Sequence, residues 1–194
     1  MSTLLALDVA ILPPPDVGER AARLSATLPA DQSQGLQLDA DHLPHITLTQ
    51  QFVRSDDLDA IFECLDEALR GQPPMTLQVT GGGKGASSVW MDVARTAAIS
   101  RLHGRLMDAL HGFERPGGGP AAFVAGDARQ DDVAWVTGYR RTASLGAYTP
   151  HITLGHASEP PTVDPWTFEA TTVAACHLGR FCTCRRVLRS WALE

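Results

Sequence analysis

The sequence predicts a mixed α+β fold in which helices interrupt antiparallel strands. Short stretches rich in β-branched and aliphatic residues recur along the chain and are bounded by proline or glycine. Between them lie segments whose apolar residues are spaced three and four apart, which is typical of amphipathic helices. With 194 residues, the chain can form one domain, or two small lobes that share a cleft, around a hydrophobic core of its own.

The first third of the chain alternates between predicted strands and helices. Thr3 to Leu12 is predicted as a strand that ends at three consecutive prolines, and a helix is predicted from Asp16 to Leu28. A short strand at Leu36 to Leu38 and a longer one at His45 to Val53 follow. Ser55 is a residue type suited to cap the helix that comes next.

A hairpin and a further helix are predicted in the middle of the chain. Met75 to Thr80 and Ser88 to Val93 form the hairpin around a glycine-rich turn that contains Lys84. This turn lacks the Gly-x-x-x-x-Gly-Lys-Ser/Thr pattern of a phosphate-binding loop, so an ordinary turn is favoured. The spacing of apolar residues from Ile99 to Phe113 predicts an amphipathic helix.

The segment from Glu114 to Ala147 follows neither a helical nor a strand period. Long irregular segments in compact domains are often functional, so we interpret this one as a lid or rim that selects the substrate. Beyond it, Tyr148 to Gly155 is predicted as a strand. A closing hairpin is predicted from Phe168 to Leu178 and from Cys182 to Leu193.

The composition argues against binding to long nucleic acids. The formal net charge is −6 and 20% of the residues are charged, whereas proteins that bind the backbone of duplexes carry basic surfaces. A small anionic substrate is compatible with this charge, because a cleft can focus a locally positive potential. No stretch is long and apolar enough for a membrane span or a secretion signal. We therefore expect a cytoplasmic protein with neither a membrane partner nor a long duplex as partner.

The cysteines give no convincing metal site. Cys176, Cys182 and Cys184 crowd near His177, and Cys64 is distant in sequence. A zinc site needs a second pair of ligands with suitable spacing, and the sequence has none. We expect reduced thiols, no bound metal and no cofactor.

The pentapeptide Pro-His-Ile-Thr-Leu occurs twice, at 44–48 and at 150–154. Because alternate side chains of a strand share a face, His45, Thr47 and Thr49 are predicted to point one way, and His151 and Thr153 form the corresponding pair. The isoleucine and leucine of each copy would face a core. A single histidine in a strand is more often structural than catalytic, but a structural histidine has no reason to recur together with its threonine.

Two such imidazoles suit the cleavage of a phosphodiester. In-line displacement needs a base on the attacking oxygen and an acid on the leaving oxygen, and histidine can fill either role near neutral pH. Threonine hydroxyls can donate hydrogen bonds to the non-bridging oxygens of phosphate. His45 and His151 are therefore the candidate catalytic residues, and Thr47 and Thr153 are the candidate phosphate-binding residues. Which histidine is the acid stays open.

Other side chains have a functional and a structural interpretation. Tyr148 could contact a base or ribose, although core packing is favoured. Arg140 and Arg141 could supply phosphate charge or form a solvated loop pair. Trp90 and Trp135 could stack a base, but tryptophan is more often part of a core or rim.

Three further functions stay open. The chain could be a binder of RNA ends without catalysis, or a ligase rather than a hydrolase. It could also be a metal hydrolase using both histidines and a carboxylate such as Asp39 or Asp41, although neither motif has the ligand spacing His-x-x-x-His.

The paired motifs resemble the His-x-Thr/Ser-hydrophobic signature of the two-histidine phosphoesterases, which include bacterial 2′-5′ RNA ligase-like proteins and cyclic nucleotide phosphodiesterases. The strands at 4–9 and 89–91 and the ending at 187–191 also resemble that superfamily.

The resemblance implies a bilobal, pseudo-twofold fold with helices outside two antiparallel sheets that flank a central cleft. It implies hydrolysis of 2′,3′-cyclic phosphates, or cleavage or joining of 2′-5′ linkages, in a nucleotide or RNA terminus. It also implies that His45 and His151 are catalytic and that Thr47 and Thr153 contact the phosphate. We expect residues 1–194 to form one such domain of two interleaved lobes, and a monomer.

Overall fold

The computed structural model describes residues 3–194, and across these residues it has two four-stranded antiparallel sheets and four α-helices. The predicted α+β class and its two antiparallel sheets are confirmed. The strands are β1 (Leu4–Ile11), β2 (Ile46–Arg54), β3 (Met75–Lys84), β4 (Ser88–Val93), β5 (His151–His156), β6 (Trp166–Ala170), β7 (Thr172–Leu178) and β8 (Cys184–Ala192). The helices are α1 (Pro15–Ala26), α2 (Leu58–Leu69), α3 (Ala97–Ala109) and α4 (Gln130–Thr142).

The two sheets are built alike. The first has the order β2-β1-β7-β8 and the second the order β5-β4-β3-β6. In each sheet the strand that carries a copy of the repeat lies at the edge and pairs with a strand that precedes it in the chain, β1 or β4. The two strands of each pair are connected through helices, α1 in the first sheet and α3 followed by α4 in the second.

The lobes share one core. The buried face of the repeat strands, Ile46 and Leu48 in one sheet and Ile152 and Leu154 in the other, belongs to a single hydrophobic cluster. Helix α1 contacts β5 of the second sheet, and α3 contacts β2 of the first. Helices α1 and α3 therefore each pack against the edge strand of the other lobe. Burial of these aliphatic side chains stabilises both lobes together, at about 1.5–3 kcal/mol for each fully buried one.

Several predicted elements differ from the structure. Leu36 to Leu38 forms no strand, although Leu36 and Leu38 are both buried in the loop. The predicted strand from Phe168 to Leu178 is two strands, β6 in the second sheet and β7 in the first, because the chain changes sheet at Thr171. Ser55 begins a 3₁₀ turn, and α2 starts after it without a side-chain cap.

The segment from Glu114 to Ala147 contains helix α4, which the apolar periodicity did not predict. Its ends carry charges that complement a helix dipole, acidic Asp131 and Asp132 in the first turn and basic Arg140 and Arg141 in the last. Asp132 also accepts a hydrogen bond of 2.9 Å from the backbone of the residue that precedes the helix. These charges are the sequence signal that would have revealed the helix.

Within residues 3–194, the helices are all too short or too polar to cross a bilayer.

Candidate active site

The two copies of the repeat lie at sheet edges that border the same cavity. His45 immediately precedes β2, and His151 is the first residue of β5. Both histidines, together with Thr47 and Thr153, line a cavity of about 550 Å³. The structure therefore brings together the four residues that the repeat identified.

A β-bulge occurs at the same place in both copies. The pairing of β2 with β1 skips Leu48, and the pairing of β5 with β4 skips Leu154. An extra residue on one strand interrupts the alternation of side chains. Gln50 therefore lines the cavity beyond Thr47, whereas Thr49, predicted to lie on that face, is fully buried. In the second copy, His156 has the position of Gln50 and also lines the cavity.

Both catalytic candidates make the same hydrogen bond. The Nδ1 of His45 lies 2.8 Å from the carbonyl oxygen of Leu43, and the Nδ1 of His151 lies 2.7 Å from the carbonyl oxygen of Thr149. A carbonyl can only accept, so Nδ1 must carry a proton in both rings. In the neutral imidazole the second nitrogen, Nε2, is then a free base, and in the charged ring it is an acid. Each histidine is thus oriented to exchange a proton through Nε2.

Asp8 on β1 is a site residue that the sequence did not identify. Its Oδ2 accepts hydrogen bonds from Gln50 Nε2 at 2.6 Å and from Thr47 Oγ1 at 3.0 Å, and it lies 3.7 Å from His45 Nε2. The carboxyl is fully buried, and within residues 3–194 its Oδ1 has no hydrogen-bond partner. Burial raises the pKa of Asp8, and the neighbouring His45 and the hydrogen bonds act in the opposite direction.

The second copy of the repeat has no carboxyl in the position of Asp8. Asp8 pairs with Gln50 across the first sheet, and Ser88 pairs with His156 in the same way across the second. The two halves of the cavity therefore have the same backbone but different electrostatics, because one contains a buried carboxyl and the other a hydroxyl.

The surroundings of His151 favour its neutral form. Burial lowers the pKa of His151 and the charge of His45 lowers it further, while the hydrogen bond to Thr149 and the charge of Asp92 act against them. The ring of Trp90 lies 5.1 Å from the His151 ring between centroids, and its Nε1 donates to Asp92 Oδ1 at 2.6 Å. The His151 ring is consequently held between the backbone carbonyl of Thr149 and the indole of Trp90, which Asp92 fixes in place.

Tyr148 connects the two copies of the repeat. It is buried, and its hydroxyl donates to the backbone carbonyl of Thr47 at 3.0 Å. Its ring stacks on His103 with centroids 3.9 Å apart. Tyr148 lines the cavity, as the functional interpretation required, but its hydroxyl is already engaged with the protein.

The structure does not bring Arg140 or Arg141 to the cavity wall. Arg140 Nε donates to Glu114 Oε2 at 2.5 Å, and its Nη2 donates to the carbonyl oxygen of Met107 at 2.9 Å. Arg141 is exposed. Both lie in the last turn of α4, whose cavity-lining residues are elsewhere on the helix, so the expected phosphate contacts have no geometric support.

The guanidinium that does line the cavity is that of Arg129. It binds Asp132 Oδ1 at 2.6 Å and lies 4.2 Å from the centre of the Phe181 ring. Burial opposes the ionisation of Asp132, but hydrogen bonds from Arg129 and from the backbone of Phe181 keep its pKa below the usual value. Much of the positive charge at this wall is therefore neutralised inside the protein.

One face of α4 forms the rim of the cavity. Asp131, Trp135, Tyr139 and Ala143 all line it, and their spacing of four places them in one row along the helix. Trp135 Nε1 donates to Gln50 Oε1 at 2.8 Å. The segment that lacked a clear period is thus a rim connected to the hydrogen-bond network of Asp8.

The donor groups near His45 are poorly arranged to bind a metal ion. Asp39, the carboxylate considered from the sequence, accepts from His42 Nδ1 at 2.9 Å instead of joining the cavity. Asp8, His45 and Cys184 each offer one donor atom, and these atoms lie within 4.8 Å of one another. The carboxyl oxygen nearest His45 already accepts two hydrogen bonds, and burial raises the pKa of the Cys184 thiol, so the group is not organised for a cation.

Known proteins of similar sequence and structure support the fold. The sequence matches the family model of the 2′-5′ RNA ligase superfamily over residues 13–181. Escherichia coli LigT in its apo form has a TM-score of 0.62 and 23% identity, with 100% of this chain and 99% of that chain covered. LigT complexed with 3′-AMP has a TM-score of 0.64 and 20% identity, with 99% of each chain covered.

A protein of Thermus thermophilus, TT0787, is similar as well, with a TM-score of 0.61 and 14% identity over 97% of this chain and 98% of that one. No curated protein sequence matches the chain. At these identities the structural likeness shows the fold, while the match over 13–181 shows the family. The chain belongs to the 2′-5′ RNA ligase superfamily.

Proposed function

We propose that the protein is a metal-independent phosphoesterase that hydrolyses 2′,3′-cyclic phosphates or 2′-5′ phosphodiesters in nucleotides or RNA ends. The observation that carries the proposal is the pair of histidines that line one cavity from two different sheets, each with Nδ1 bound to a carbonyl and Nε2 left for proton transfer. Solved structures of LigT contain 3′-AMP, NADP⁺ and ATP, which supports a nucleotide as the substrate.

In the proposed reaction, one histidine takes a proton from water as the water oxygen attacks phosphorus. The other gives a proton to the ribose oxygen as its bond to phosphorus breaks, so the products are a phosphomonoester and a free hydroxyl. After one turnover the two histidines have exchanged protonation states, and exchange with solvent restores them. Thr153 can donate to a non-bridging oxygen, and burial of the site strengthens that interaction.

The test is turnover by single variants of the two histidines. An acid and a base that act in one step each contribute about 10²–10⁴-fold, so His45→Ala and His151→Ala should each lower kcat by that range on adenosine 2′,3′-cyclic phosphate. The double variant should lose less than the product of the two factors, because the residues act as a unit. His111→Ala is the matched control, since His111 is exposed and lies outside the cavity.

Thermal melts must accompany these rates. Near-parental turnover in either variant, or a fall in activity that tracks the melting temperature, would exclude acid–base catalysis by the pair. Turnover by the parent also separates the enzyme from a non-catalytic binder of RNA ends. Incubation of an oligonucleotide that ends in a 2′,3′-cyclic phosphate with one that begins with a 5′-hydroxyl tests the ligase alternative in the same preparation.

The metal-hydrolase alternative has one observation in its favour, the group formed by Asp8, His45 and Cys184. Activity that is lost in a strong chelator and returns with zinc or manganese would establish it. Cys184→Ala separates the two mechanisms, because it removes a donor atom of that group and leaves both imidazoles in place. We expect this variant and the chelated parent to keep full turnover.

A further inference from the structure

We infer that the indole of Trp135 is the platform on which the nucleobase of the substrate stacks, on the His45 side of the reacting phosphate. The inference rests on the proposed function and adds to it a binding subsite and the side of the cavity that takes the base. Four observations carry it, namely the exposure of the indole, the way it is fixed, its connection to Asp8 and the different surroundings of Trp90.

The indole is exposed, although two other large side chains close to it on the helix are buried. Trp135 has 45% of its surface accessible, whereas Val136 and Tyr139 on α4 have 2% and 3%. Leu145 and Val187 are the other large exposed hydrophobic residues within 3–194, and neither lines the cavity. Ligand pockets are commonly lined by aromatic side chains, and an exposed indole that lines a cavity can contact a ligand directly.

The indole is also held in a fixed orientation. Its Nε1 donates to Gln50 Oε1 at 2.8 Å, and the ring of Tyr139 lies 6.3 Å away in an edge-to-face arrangement. A side chain fixed on one edge loses little conformational entropy when a ligand stacks on it. Stacking of a base on an aromatic ring is tolerant of base identity, because every base has a π-face.

A chain of hydrogen bonds connects this platform to Asp8, and Asp8 lies next to His45. Gln50 accepts from Trp135 and donates to Asp8 Oδ2, which also accepts from Thr47 and lies 3.7 Å from His45 Nε2. In the part of the chain that the structure describes, the hydrogen bonds of Trp135 lead through Gln50 to Asp8, the carboxyl next to His45, and not to His151. A base stacked on Trp135 would therefore lie on the same side of the reacting phosphate as His45.

Trp90, the other tryptophan in the cavity wall, has a different role. It lies against His151, and a Cβ at Gly83 would be only 2.2 Å from its Nε1. A Cβ at Gly85 would be 3.3 Å from the same ring. The indole of Trp90 thus rests on glycine backbone on the β3–β4 hairpin and supports His151. Of these two tryptophans, Trp135 is the more exposed, and it does not lie against a catalytic candidate.

The inference predicts a substrate that presents one stacked base next to the phosphate. The experiment compares adenosine 2′,3′-cyclic phosphate with ribose 2′,3′-cyclic phosphate, which lacks the base, in the parent and in three variants. Trp135→Leu removes the platform, Trp135→Phe keeps an aromatic ring but loses the hydrogen bond to Gln50, and Trp191→Phe is the control. Trp191 contacts Phe62 and lies outside the cavity wall.

Trp135→Leu should raise KM for the adenosine substrate about 5- to 150-fold, the range expected for loss of one stacked base, with little change in kcat. KM for the base-free substrate should be the same in this variant and in the parent. Trp135→Phe should lie between the parent and Trp135→Leu, and Trp191→Phe should match the parent. Equal increases in KM for both substrates, or none for the adenosine substrate, would overturn the inference.

A binding measurement distinguishes failure of the inference from failure of the proposed function. Titration with adenosine 2′-monophosphate should quench the tryptophan fluorescence of the parent and of Trp191→Phe, and the part of the quench due to Trp135 should vanish in Trp135→Leu. If the parent cleaves neither cyclic phosphate but shows this pattern of quenching, the proposed function fails and the base platform stands. If the quench is unchanged in Trp135→Leu, the platform is elsewhere.

Discussion

Asp8 makes the two copies of the repeat chemically unequal. The copies share their histidine, threonine and backbone bulge, but only the first has a buried carboxyl within 3.7 Å of the histidine Nε2. The hydroxyl of Thr47 is consequently engaged with Asp8, whereas the hydroxyl of Thr153 makes no hydrogen bond with any other part of residues 3–194. The two threonines therefore have different hydrogen-bond partners although they occupy equivalent positions.

This difference predicts that replacing Thr153 lowers activity, whereas replacing Thr47 lowers stability. Thr153→Val should lower kcat about 10- to 10³-fold through loss of a donor to phosphate, with an unchanged melting temperature. Thr47→Val should lower the free energy of unfolding by about 1–3 kcal/mol, because a buried carboxyl loses one of its two strong donors. Rates and melts of both variants provide the check, each serving as the control of the other. Equal loss of stability in both would contradict the assignment.

Among the elements, helix α3 connects the bulge of the first repeat to the loop before the second. His103 on α3 donates from Nδ1 to the carbonyl oxygen of Leu48 at 2.6 Å, and its Nε2 accepts from the backbone N–H of Leu145 at 2.8 Å. Both nitrogens are therefore satisfied only in the neutral ring. Burial lowers the pKa of His103, and the charges of Arg95 and Arg140 lower it further, against the hydrogen bond to Leu48.

The neutral form of His103 predicts acid sensitivity. The pKa of His103 is near 6.5 in the unfolded chain and lower in the folded protein. Between these two pKa values the unfolded state therefore binds more protons. The stability from His103 is thus fully present above about pH 6.5 and is lost as the pH falls through the folded pKa. His103→Gln should be less stable than the parent by about 1–3 kcal/mol at pH 7.5, and the difference should shrink towards pH 5.

Denaturant unfolding at several pH values measures this effect. His111→Gln is the matched control, because His111 lies in an exposed turn just after α3. A difference between parent and His103→Gln that is constant from pH 7.5 to pH 5 would show that folding does not lower the pKa of His103, which would contradict the predicted titration.

Helix α4 shows how an element can be missed by apolar periodicity. Its cavity-lining row begins with the charged Asp131 and includes the half-exposed Trp135, and only Tyr139 among its members is buried. A helix that lines a cavity with one face and packs on a small core with another lacks the continuous apolar stripe by which helices are recognised. The sequence signal was in the charges at its two ends, not in the period.

At the scale of the whole molecule, one tyrosine hydroxyl ties the two lobes together at the site. Tyr148, three residues before His151, donates to the carbonyl oxygen of Thr47, which is 101 positions away in the chain. Burial raises the pKa of Tyr148, so the phenol stays protonated and remains a donor at neutral pH. The bond therefore joins the two repeats directly, in addition to the core that they share.

Tyr148→Phe should remove that bond without changing the packing of the ring on His103. We expect a loss of about 0.5–1.5 kcal/mol in the free energy of unfolding and a decrease in kcat, because the two imidazoles lose a constraint on their separation. Tyr139→Phe is the matched control for stability, since within residues 3–194 the hydroxyl of Tyr139 makes no hydrogen bond. An unchanged kcat in Tyr148→Phe would show that core packing alone positions the lobes.

The repeat, the strands that carry it and the α+β class could all be predicted from the sequence. These follow from local properties, since alternation of side chains and identity of two pentapeptides need no knowledge of distant contacts. The prediction for Thr49 was wrong because a bulge shifts the alternation, and a bulge depends on the neighbouring strand. The assignment of 168–178 to one strand was wrong because the change of sheet takes a single residue.

The side chains that surround the histidines could not be predicted from the sequence, because they come together only in the folded protein. Asp8, Gln50 and Trp135 meet through strand register and the placement of α4, and no spacing in the sequence predicts that encounter. For the same reason the guanidinium at the cavity is that of Arg129, while Arg140 and Arg141 point elsewhere along a helix with a period of about 3.6 residues. Local pattern specifies a strand and its polar face, whereas the partners of that face are set by packing between segments far apart in the chain.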